Sequence, residues 1–381
     1  MRIAFMLLHD QRFSGWTLQE FLYSRYHFAK EYARRMSMLG HEVTLFVMYE
    51  GLLRVEDYHV QGYSVRALPV SFRFPPFVSI GASHNAGIFG ELRGDFDVVH
   101  FHNYYLWSLV PVALARKGSS WKLVGQYHGE PELQSLGKLV HSPWLQFPDK
   151  LLVSTSKEEM WLSRLGVSAR KIVRVPNVGV DVGCFRKVAD YERTPLFVYV
   201  GRMTSRPRTM NEKNPWLVVE IADQLKNYLG NFRILMVGDG PGLLDLKTFC
   251  KARGLDEHVS FLGHVPHERL PEIYSKCWYS FVPVSMQTID PFWDGALKES
   301  LACETPVIGF SNAVKDATEA LSRFGLLLPP KPELAAKILG SCAGTAENWV
   351  KIGVGGREFV KKHCSWDSVA ASLLGVYNSF F

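Results

Sequence analysis

Residues 290–309 read DPFWDGALKESLACETPVIG, and this stretch decides the fold class. Its part from Gly295 to Cys303 has the composition of a helix. Thr305-Pro306 then leads into an apolar run, 306–310, which is typical of a buried strand. A helix that is followed at once by a short apolar strand is the repeating unit of an α/β fold.

The same alternation extends in both directions from this stretch. One helix is predicted over residues 22–36, and Gly40 is expected to end it. The apolar residues that recur there at helical spacing are Leu22, Phe28, Ala29, Tyr32, Ala33 and Met36. The residues between 175 and 181, VPNVGVD, are rich in turn formers and indicate a junction, so we place a domain boundary near residue 186. Further strands are predicted at 3–8, 43–47, 98–101, 123–127 and 151–154 in the first half, and at 196–200, 234–237, 259–262, 280–283 and 306–310 in the second. This alternation predicts two parallel, doubly wound sheets, in domains 1–186 and 187–365.

The composition is that of an ordinary globular chain. Of the 381 residues 47% are hydrophobic and 21% are charged, and no stretch reaches the roughly 18 apolar residues that span a bilayer. We read the start of the chain as a strand rather than a signal peptide. The six cysteines show no metal-binding or C-x-x-C spacing, which favours a reduced, cytoplasmic protein.

Net charge is +6 and falls mainly in the first half. Residues 1–186 carry 21 Lys and Arg against 16 Asp and Glu, leaving 22 against 21 for the rest, so the halves stand at +5 and +1. Such an excess favours an anionic acceptor or contact with an acidic membrane face, although surface charges kept for solubility explain it equally well. We expect no nucleic-acid partner.

Two cations flank a predicted helix start in the second half. Arg202 follows the strand 196–200, and Lys213 precedes Asn214-Pro215, which is typical of an N-cap followed by proline at the first helical position. Backbone N–H groups at a helix start carry partial positive charge, so this is the expected place for a diphosphate. The glycine-rich turn 237–241 is either a place where backbone approaches a ligand or ordinary packing.

Within residues 290–309, three carboxylates lie before or on one predicted helix. Glu299 lies on the helix, where it can accept two ribose hydroxyls. Asp290 and Asp294 precede the helix, where they either hold a sugar with Gly295 or cap the helix.

Candidate residues of the first half follow predicted strands. His100, His102 and His128 lie near strand ends, where α/β folds place ligands, and His128 with Gly129-Glu130 is the most suggestive group. Their spacing does not match the metal-binding motif H-E-x-x-H, so we expect no metal site. The aromatic segments 72–77, 104–107 and 144–147 are interpreted as the lining of an acceptor cleft, a membrane contact, or core.

Taken together, these segments resemble the retaining glycosyltransferases of the GT-B fold, the family 4 group, over nearly the whole chain. The resemblance implies two Rossmann-like domains facing across a cleft. It also implies that the helix from Trp366, residues 366–381, crosses back to the first domain. Gly15 would give amides to the donor phosphate, His128 would lie near the acceptor, and Val265 would face the nucleobase.

The resemblance further implies an activity: transfer of a hexose with retention, without a metal or other cofactor. Arg202 and Lys213 look like the pyrophosphate ligands and Glu299 like the second glutamate of the E-x7-E motif. The donor is a nucleotide-sugar, with a UDP-sugar favoured over GDP- or ADP-sugars, and the acceptor is a sugar or glycoconjugate. We expect a cytoplasmic protein, with the inner face of a membrane as an alternative place.

One departure from the family pattern leaves alternatives open. Pro291 stands where the first glutamate of the motif is expected, so Asp290 or Asp294 is a candidate substitute. The alternatives to a retaining transferase are a catalytically silent nucleotide-sugar-binding partner, a nucleotide-sugar epimerase or an inverting transferase. An NAD-dependent oxidoreductase is disfavoured because neither half has a G-x-G-x-x-G fingerprint.

Overall fold

The chain folds into two compact units. The computed structural model describes residues 1–10, 16–24, 26–73, 83–128, 142–192, 194–205, 213–285, 294–315, 320–342 and 346–381. The first unit comprises Met1–Asn177 with Trp366–Phe381, and the second comprises Val178–Ser365. The division lies at residue 178, within the VPNVGVD segment and before the boundary near 186 that the sequence suggested.

The strands alternate with helices along both units. The strands are β1 Arg2–Asp10, β2 Glu42–Tyr49, β3 Glu56–Val60, β4 Tyr63–Pro69, β5 Phe72–Arg73, β6 Ser83–His84, β7 Val98–His102, β8 Lys122–Gln126, β9 Lys150–Val153, β10 Ile172–Arg174, β11 Leu196–Val200, β12 Arg233–Val237, β13 Val259–Gly263, β14 Tyr279–Ser285, β15 Val307–Phe310, β16 Leu321–Ser322 and β17 Gly325–Leu328. The helices are α1 Phe28–Met38, α2 Ile88–Glu91, α3 Leu109–Arg116, α4 Ser156–Arg164, α5 Pro215–Leu225, α6 Leu243–Ala252, α7 Leu270–Lys276, α8 Gly295–Ala302, α9 Pro332–Cys342, α10 Ala346–His363 and α11 Trp366–Asn378.

Each unit is built on one mostly parallel sheet. In the first unit the strand order is β10-β9-β8-β7-β1-β2-β4-β3, and only β3 runs antiparallel to its neighbour. In the second unit the order is β13-β12-β11-β14-β15-β17-β16, with β16 antiparallel to β17. The predicted class, two doubly wound α/β sheets, is therefore confirmed.

Helix α1 begins later than the apolar periodicity predicts. The pattern from Leu22 to Met36 predicted one helix, but the structure has a five-residue π-helical turn, Glu20–Ser24, and a separate helix from Phe28. His27 makes the new start because its extended backbone and side-chain Nδ1, which accepts from the Ala29 N–H, form an N-cap. Gly40, at φ +82°, follows the end of α1 as predicted.

The last helix, α11, belongs to the first unit. Trp366 is buried with its ring edge-on to Tyr32, with centroids 5.1 Å apart. The Asp367 carboxylate lies 2.7 Å from the Arg35 guanidinium of α1. The C-terminal residues therefore complete the core of a sheet that the N-terminal residues begin.

Candidate functional site

The strand order of the second sheet reverses between β11 and β14. From β11 the chain moves outward through β12 and β13 on one side, and then returns to β14 and β15 on the other. In parallel α/β sheets the crevice beyond such a reversal is where ligands bind, because the two following loops diverge there. Arg202 and Lys213 follow β11, and Asp294 and Glu299 follow β14. Four residues predicted for the site thus lie in the segments that follow the two strands at this point.

The loop after β11 is held at both of its described ends. The Thr204 hydroxyl donates to the Lys213 carbonyl at 3.0 Å, which joins the residues on either side of 206–212. Asn214 caps α5 by accepting from the Leu217 N–H, and Pro215 is the first helical residue, as predicted. Arg202 is exposed, while its carbonyl accepts from the Tyr199 hydroxyl at 2.9 Å. These contacts hold the backbone at Arg202 and Lys213, while Arg202 is exposed and 41% of the Lys213 side chain is exposed.

The glycines after β12 allow two loops to pack backbone on backbone. A Cβ added at Gly238 would lie 2.0 Å from the Gly201 carbonyl oxygen, and Gly238 has φ +126°. A Cβ at Gly242 would lie 2.1 Å from the Thr204 oxygen. The Gly242 N–H donates to the Met203 carbonyl at 2.8 Å. These glycines support the loop that carries Arg202, which is a packing role for the turn.

Asp294 is a buried carboxylate beside a cation. Only 5% of its side chain is exposed, its Oδ1 accepts from the Leu297 N–H as the N-cap of α8, and its Oδ2 lies 3.6 Å from Lys213 Nζ. Burial by itself would raise the pKa of Asp294, but the Lys213 charge, the bond from Leu297 and the Lys298 charge together lower that pKa below its ordinary value. Asp294 is therefore ionised and ties the start of α8 to the loop after β11.

Lys298, which the sequence reasoning did not single out, also anchors α8. Its side chain is fully buried, and Nζ donates to the Val178 carbonyl. A lysine among the apolar positions of a short helix, next to Glu299, is the signal that would have found it, because a buried ammonium requires partners.

Glu299 accepts a hydrogen bond from a residue that the sequence reasoning also missed. His267 Nε2 lies 2.8 Å from Glu299 Oε1, with 32% and 17% of the two side chains exposed. The His267 ring packs against Phe185 at a centroid distance of 4.7 Å. His267 could have been found from the sequence because it follows closely after Val265, the residue expected to face a nucleobase.

Val265 and Gly295 lie on elements next to this pair. Val265 is half-buried against the apolar cluster of the second unit. Gly295 is the first residue of α8, and a Cβ there would meet no heavy atom of the described residues within 4 Å. None of the described residues covers Gly295 at the N-terminus of α8, where N–H groups favour an electronegative group.

In the first unit His128 lies within a cluster of rings. His128 Nε2 is 2.8 Å from His102 Nδ1, and Phe28 stacks on the His128 ring at 4.3 Å. The His128 N–H donates to the Asn103 side chain at 2.9 Å, with Asn103 at φ +61°. The ends of the neighbouring strands β7 and β8 therefore bring His102 and His128 together.

His100 is a core residue of the first unit. It is fully buried, its Nδ1 lies 2.6 Å from the Tyr377 hydroxyl of α11, and burial lowers the pKa of His100 to about 3. The ring is neutral at physiological pH and joins β7 to the terminal helix. This agrees with a packed, hydrogen-bonded histidine rather than a ligand.

The aromatic segments of the first unit divide between core and surface. Tyr104 and Tyr105 are buried, and both hydroxyls donate to Glu158 Oε1, at 2.9 and 2.7 Å. A groove of about 510 Å³ is lined by Phe72, His84, Asn85, Ala86, Ile88, Phe89, Trp107, Val110, Pro111, Leu114 and Trp144. Each of the three aromatic segments therefore contributes to the lining of this groove.

Several predicted residues lie outside the described residues, namely Gly15, Asp290, Pro291, Gly129 and Glu130. In the part of the chain that the structure describes, no three His, Cys, Asp or Glu side chains are placed to hold a metal ion. Within the same residues, no helix is both long enough and apolar enough to span a bilayer.

Several curated glycosyltransferases are similar to parts of the chain. A phosphatidylinositol N-acetylglucosaminyltransferase component from Arabidopsis thaliana is 24% identical over 250 residues, covering 62% of this chain and 53% of that protein. Alpha-D-kanosaminyltransferase from Streptomyces kanamyceticus is 26% identical over 148 residues, covering 37% and 34%. The chain spans about half or less of the length of these relatives.

Solved structures match over the full length. Sucrose-phosphate synthase from Thermosynechococcus elongatus gives a TM-score of 0.72 at 18% identity, covering 100% of this chain and 99% of that chain. Anabaena Alr3699/HepE, solved in complex with UDP and glucose, gives 0.69 at 14% identity and covers 100% of both chains. These likenesses establish the GT-B fold.

Two family models match successive parts of the chain. Residues 27–183 match the model described as Glycosyltransferase Family 4, and residues 194–342 match the model described as Glycosyl transferases group 1. The first match falls almost wholly in the first unit and the second falls wholly in the second. The chain therefore belongs to the family 4, group 1 glycosyltransferases.

Proposed function

We propose that this protein transfers a hexose from a nucleotide-sugar to an acceptor hydroxyl, with retention of anomeric configuration. The observation that carries the proposal is that Arg202, Lys213, Asp294 and Glu299 all lie in the segments that follow β11 and β14, the two strands where the second sheet reverses, with Lys213 beside Asp294. This arrangement supplies cations and a helix N-terminus for a diphosphate, and carboxylates for hydroxyl groups.

Each residue has a distinct role in the proposed reaction. Arg202 and Lys213 stabilise the negative charge that develops on the nucleoside diphosphate as the bond to the sugar breaks, so a metal ion is not needed. Glu299 accepts ribose hydroxyls, and Val265 lies beside the base. We assign Asp294, the Gly295 amide and Asp290 to sugar binding, and the Gly15 amide to the donor phosphate.

The first unit is proposed to bind the acceptor. His128 would orient or deprotonate the acceptor hydroxyl, and the groove with Phe72, Trp107 and Trp144 would take an apolar part of a glycoconjugate, or contact an anionic membrane. A UDP-sugar is the favoured donor. Anabaena Alr3699/HepE was solved with UDP-glucose, although a Mycobacterium tuberculosis relative is named GDP-mannose-dependent.

Thermal unfolding with a panel of UDP, GDP and ADP sugars tests the donor site, because a ligand that binds only the folded state raises the melting temperature. Lys213→Ala should weaken binding of the matching nucleoside diphosphate by about 1.5–3 kcal/mol, the loss of one charge-assisted contact. Lys251→Ala, the same charge change at an exposed position of α6, is the matched control. Equal affinity in the Lys213 variant and wild type would remove Lys213 from the site.

Two assays separate the proposed activity from its alternatives. NMR of the product anomer distinguishes retention from inversion, and the same spectra show an epimerised donor. A silent binding partner would bind nucleotide-sugar but would release no free sugar from it over long incubation. Slow hydrolysis that Lys213→Ala abolishes would exclude that alternative.

A further inference from the structure

We propose that His267 is a positioning residue that holds the carboxylate of Glu299 for ribose recognition. The inference rests on the proposed function, because it takes Glu299 as the ribose ligand. It adds a residue outside the E-x7-E motif, contributed by the loop after β13 rather than by α8.

The backbone around His267 fixes where its ring can go. Gly263 ends β13 at φ +68°, and Pro266 is extended at ψ 140°, so the chain turns sharply before the single 3-10 turn His267–Arg269 begins. Helix α7 follows directly and packs against α8, which carries Glu299. The ring rests on Phe185 at 4.7 Å. His267 is therefore held from both sides of its loop and by the contact of its ring with Phe185.

The hydrogen bond from His267 gives the two oxygens of the Glu299 carboxylate different roles. Nε2 of His267 lies 2.8 Å from Oε1 of Glu299, and a carboxylate is an acceptor only, so Nε2 carries the proton in this contact. A free glutamate side chain samples many rotamers, and ordering it upon binding reduces affinity. With Oε1 held by His267, the carboxylate plane is set before a ligand arrives and Oε2 can accept from ribose.

Three substitutions separate positioning from packing. Glutamine can place its amide nitrogen where Nε2 of histidine lies, whereas asparagine is too short to reach Oε1. Phenylalanine keeps the ring against Phe185 but has no donor. Affinities of each variant for UDP, GDP, dUDP and dGDP, measured by calorimetry, report the ribose contribution as the ratio between the ribonucleotide and its 2′-deoxy partner.

We expect wild type to prefer the ribonucleotide. His267→Phe and His267→Asn should lose about tenfold in ribonucleotide affinity, the size of one hydrogen bond to a charged group, with little change for the deoxynucleotide. His267→Gln should restore the ratio to within about twofold of wild type. Adding Glu299→Gln to the His267→Phe variant should reduce ribonucleotide affinity by less than Glu299→Gln does in the wild type, because the two residues act as one unit.

The outcomes distinguish a failure of the His267 inference from a failure of the proposed function. If wild type shows no ribose preference, Glu299 is not the ribose ligand and both proposals fail at that residue. If wild type discriminates and His267→Asn discriminates equally, only the positioning role is overturned. Equal weakening of ribo- and deoxynucleotides in His267→Phe and His267→Asn would likewise assign His267 to packing. Melting temperatures show which variants are folded, and the Asn and Gln pair suffices if the Phe variant is not.

Discussion

At the scale of single residues, Asp294 caps a helix and is also a proposed sugar ligand. One oxygen caps α8 and the other lies near Lys213, inside a largely buried setting. The pKa of Asp294 is lowered, so its contribution to stability is present above the ordinary aspartate pKa and is lost as pH falls through the lower folded value. The sequence left capping and sugar binding open as alternatives for Asp294, and this geometry provides the cap.

Asp294→Asn tests whether the charge has a second use. Asparagine is as good an N-cap as aspartate, so the helix should keep its cap. Sugar transfer should nevertheless fall at least about tenfold, because the charge that strengthens a sugar-hydroxyl bond and balances Lys213 is gone. Initial rates and the affinity for free nucleoside diphosphate give the readout. Asp290→Asn is the parallel variant, and wild-type transfer by both would shift the sugar contacts to the Gly295 amide.

His100 predicts a pH dependence of stability in the first unit. Its pKa is about 3 in the folded state and about 6.5 when unfolded. Below pH 6.5 the unfolded state therefore binds a proton that the folded state does not, and stability falls by about 1.4 kcal/mol per pH unit until the folded pKa is reached. Urea unfolding at pH 7, 6 and 5 should show a shallower fall for His100→Leu than for wild type. Equal slopes would mean that His100 does not contribute.

At the scale of elements, close backbone contact explains the glycines of the loop after β12. Gly238 and Gly242 meet the carbonyls of Gly201 and Thr204, so the loop that carries Arg202 rests directly on main chain. Glycine-rich strand-to-helix turns are often taken as ligand contacts, but here the near atoms are protein backbone.

Gly238→Ala should destabilise the protein by about 3 kcal/mol or more, because it combines a positive φ with a clash against the Gly201 carbonyl. Gly254→Ala is the matched control: Gly254 also has a positive φ, +62°, but a Cβ there meets no atom of the described residues within 4 Å. It should cost about 1 kcal/mol from backbone strain alone. Chemical denaturation of both variants gives the comparison. Similar losses would show that strain, not close packing, governs Gly238.

At the scale of the whole molecule, charge and apolar surface coincide in the first half of the chain. The first 186 residues carry +5 of the net +6, and Phe72, Phe89 and Leu114 of the groove are 52%, 45% and 41% exposed. An exposed apolar groove in a half of the chain with positive net charge is suited to an anionic amphiphile.

We expect the protein to sediment with vesicles of anionic lipid at low salt and to leave them at about 0.5 M salt, where surface charges are screened. Neutral vesicles should retain less of it. Substituting Phe89 and Leu114 with serine should weaken the interaction at low salt without changing net charge. Failure to sediment with anionic vesicles at low salt would remove the membrane contact and leave the groove to a small acceptor.

The sequence by itself determined the fold class. Alternating apolar runs and helical periods depend on local burial and hydrogen bonding, which neighbouring residues encode. The strand 196–200, the helix from Gly295 and the cap at Asn214 were therefore predicted correctly. The start of α1 was wrong because His27 supplies a cap that periodicity does not reveal.

Tertiary structure alone decided which side chains meet. Three contacts join residues that are far apart in the chain. They are the bonds of His267 with Glu299, of Lys298 with the Val178 carbonyl, and of His100 with Tyr377. Neither spacing nor composition encodes such contacts. They depend on how strand order brings loops to one edge of a sheet, and that order is set by packing of the whole unit.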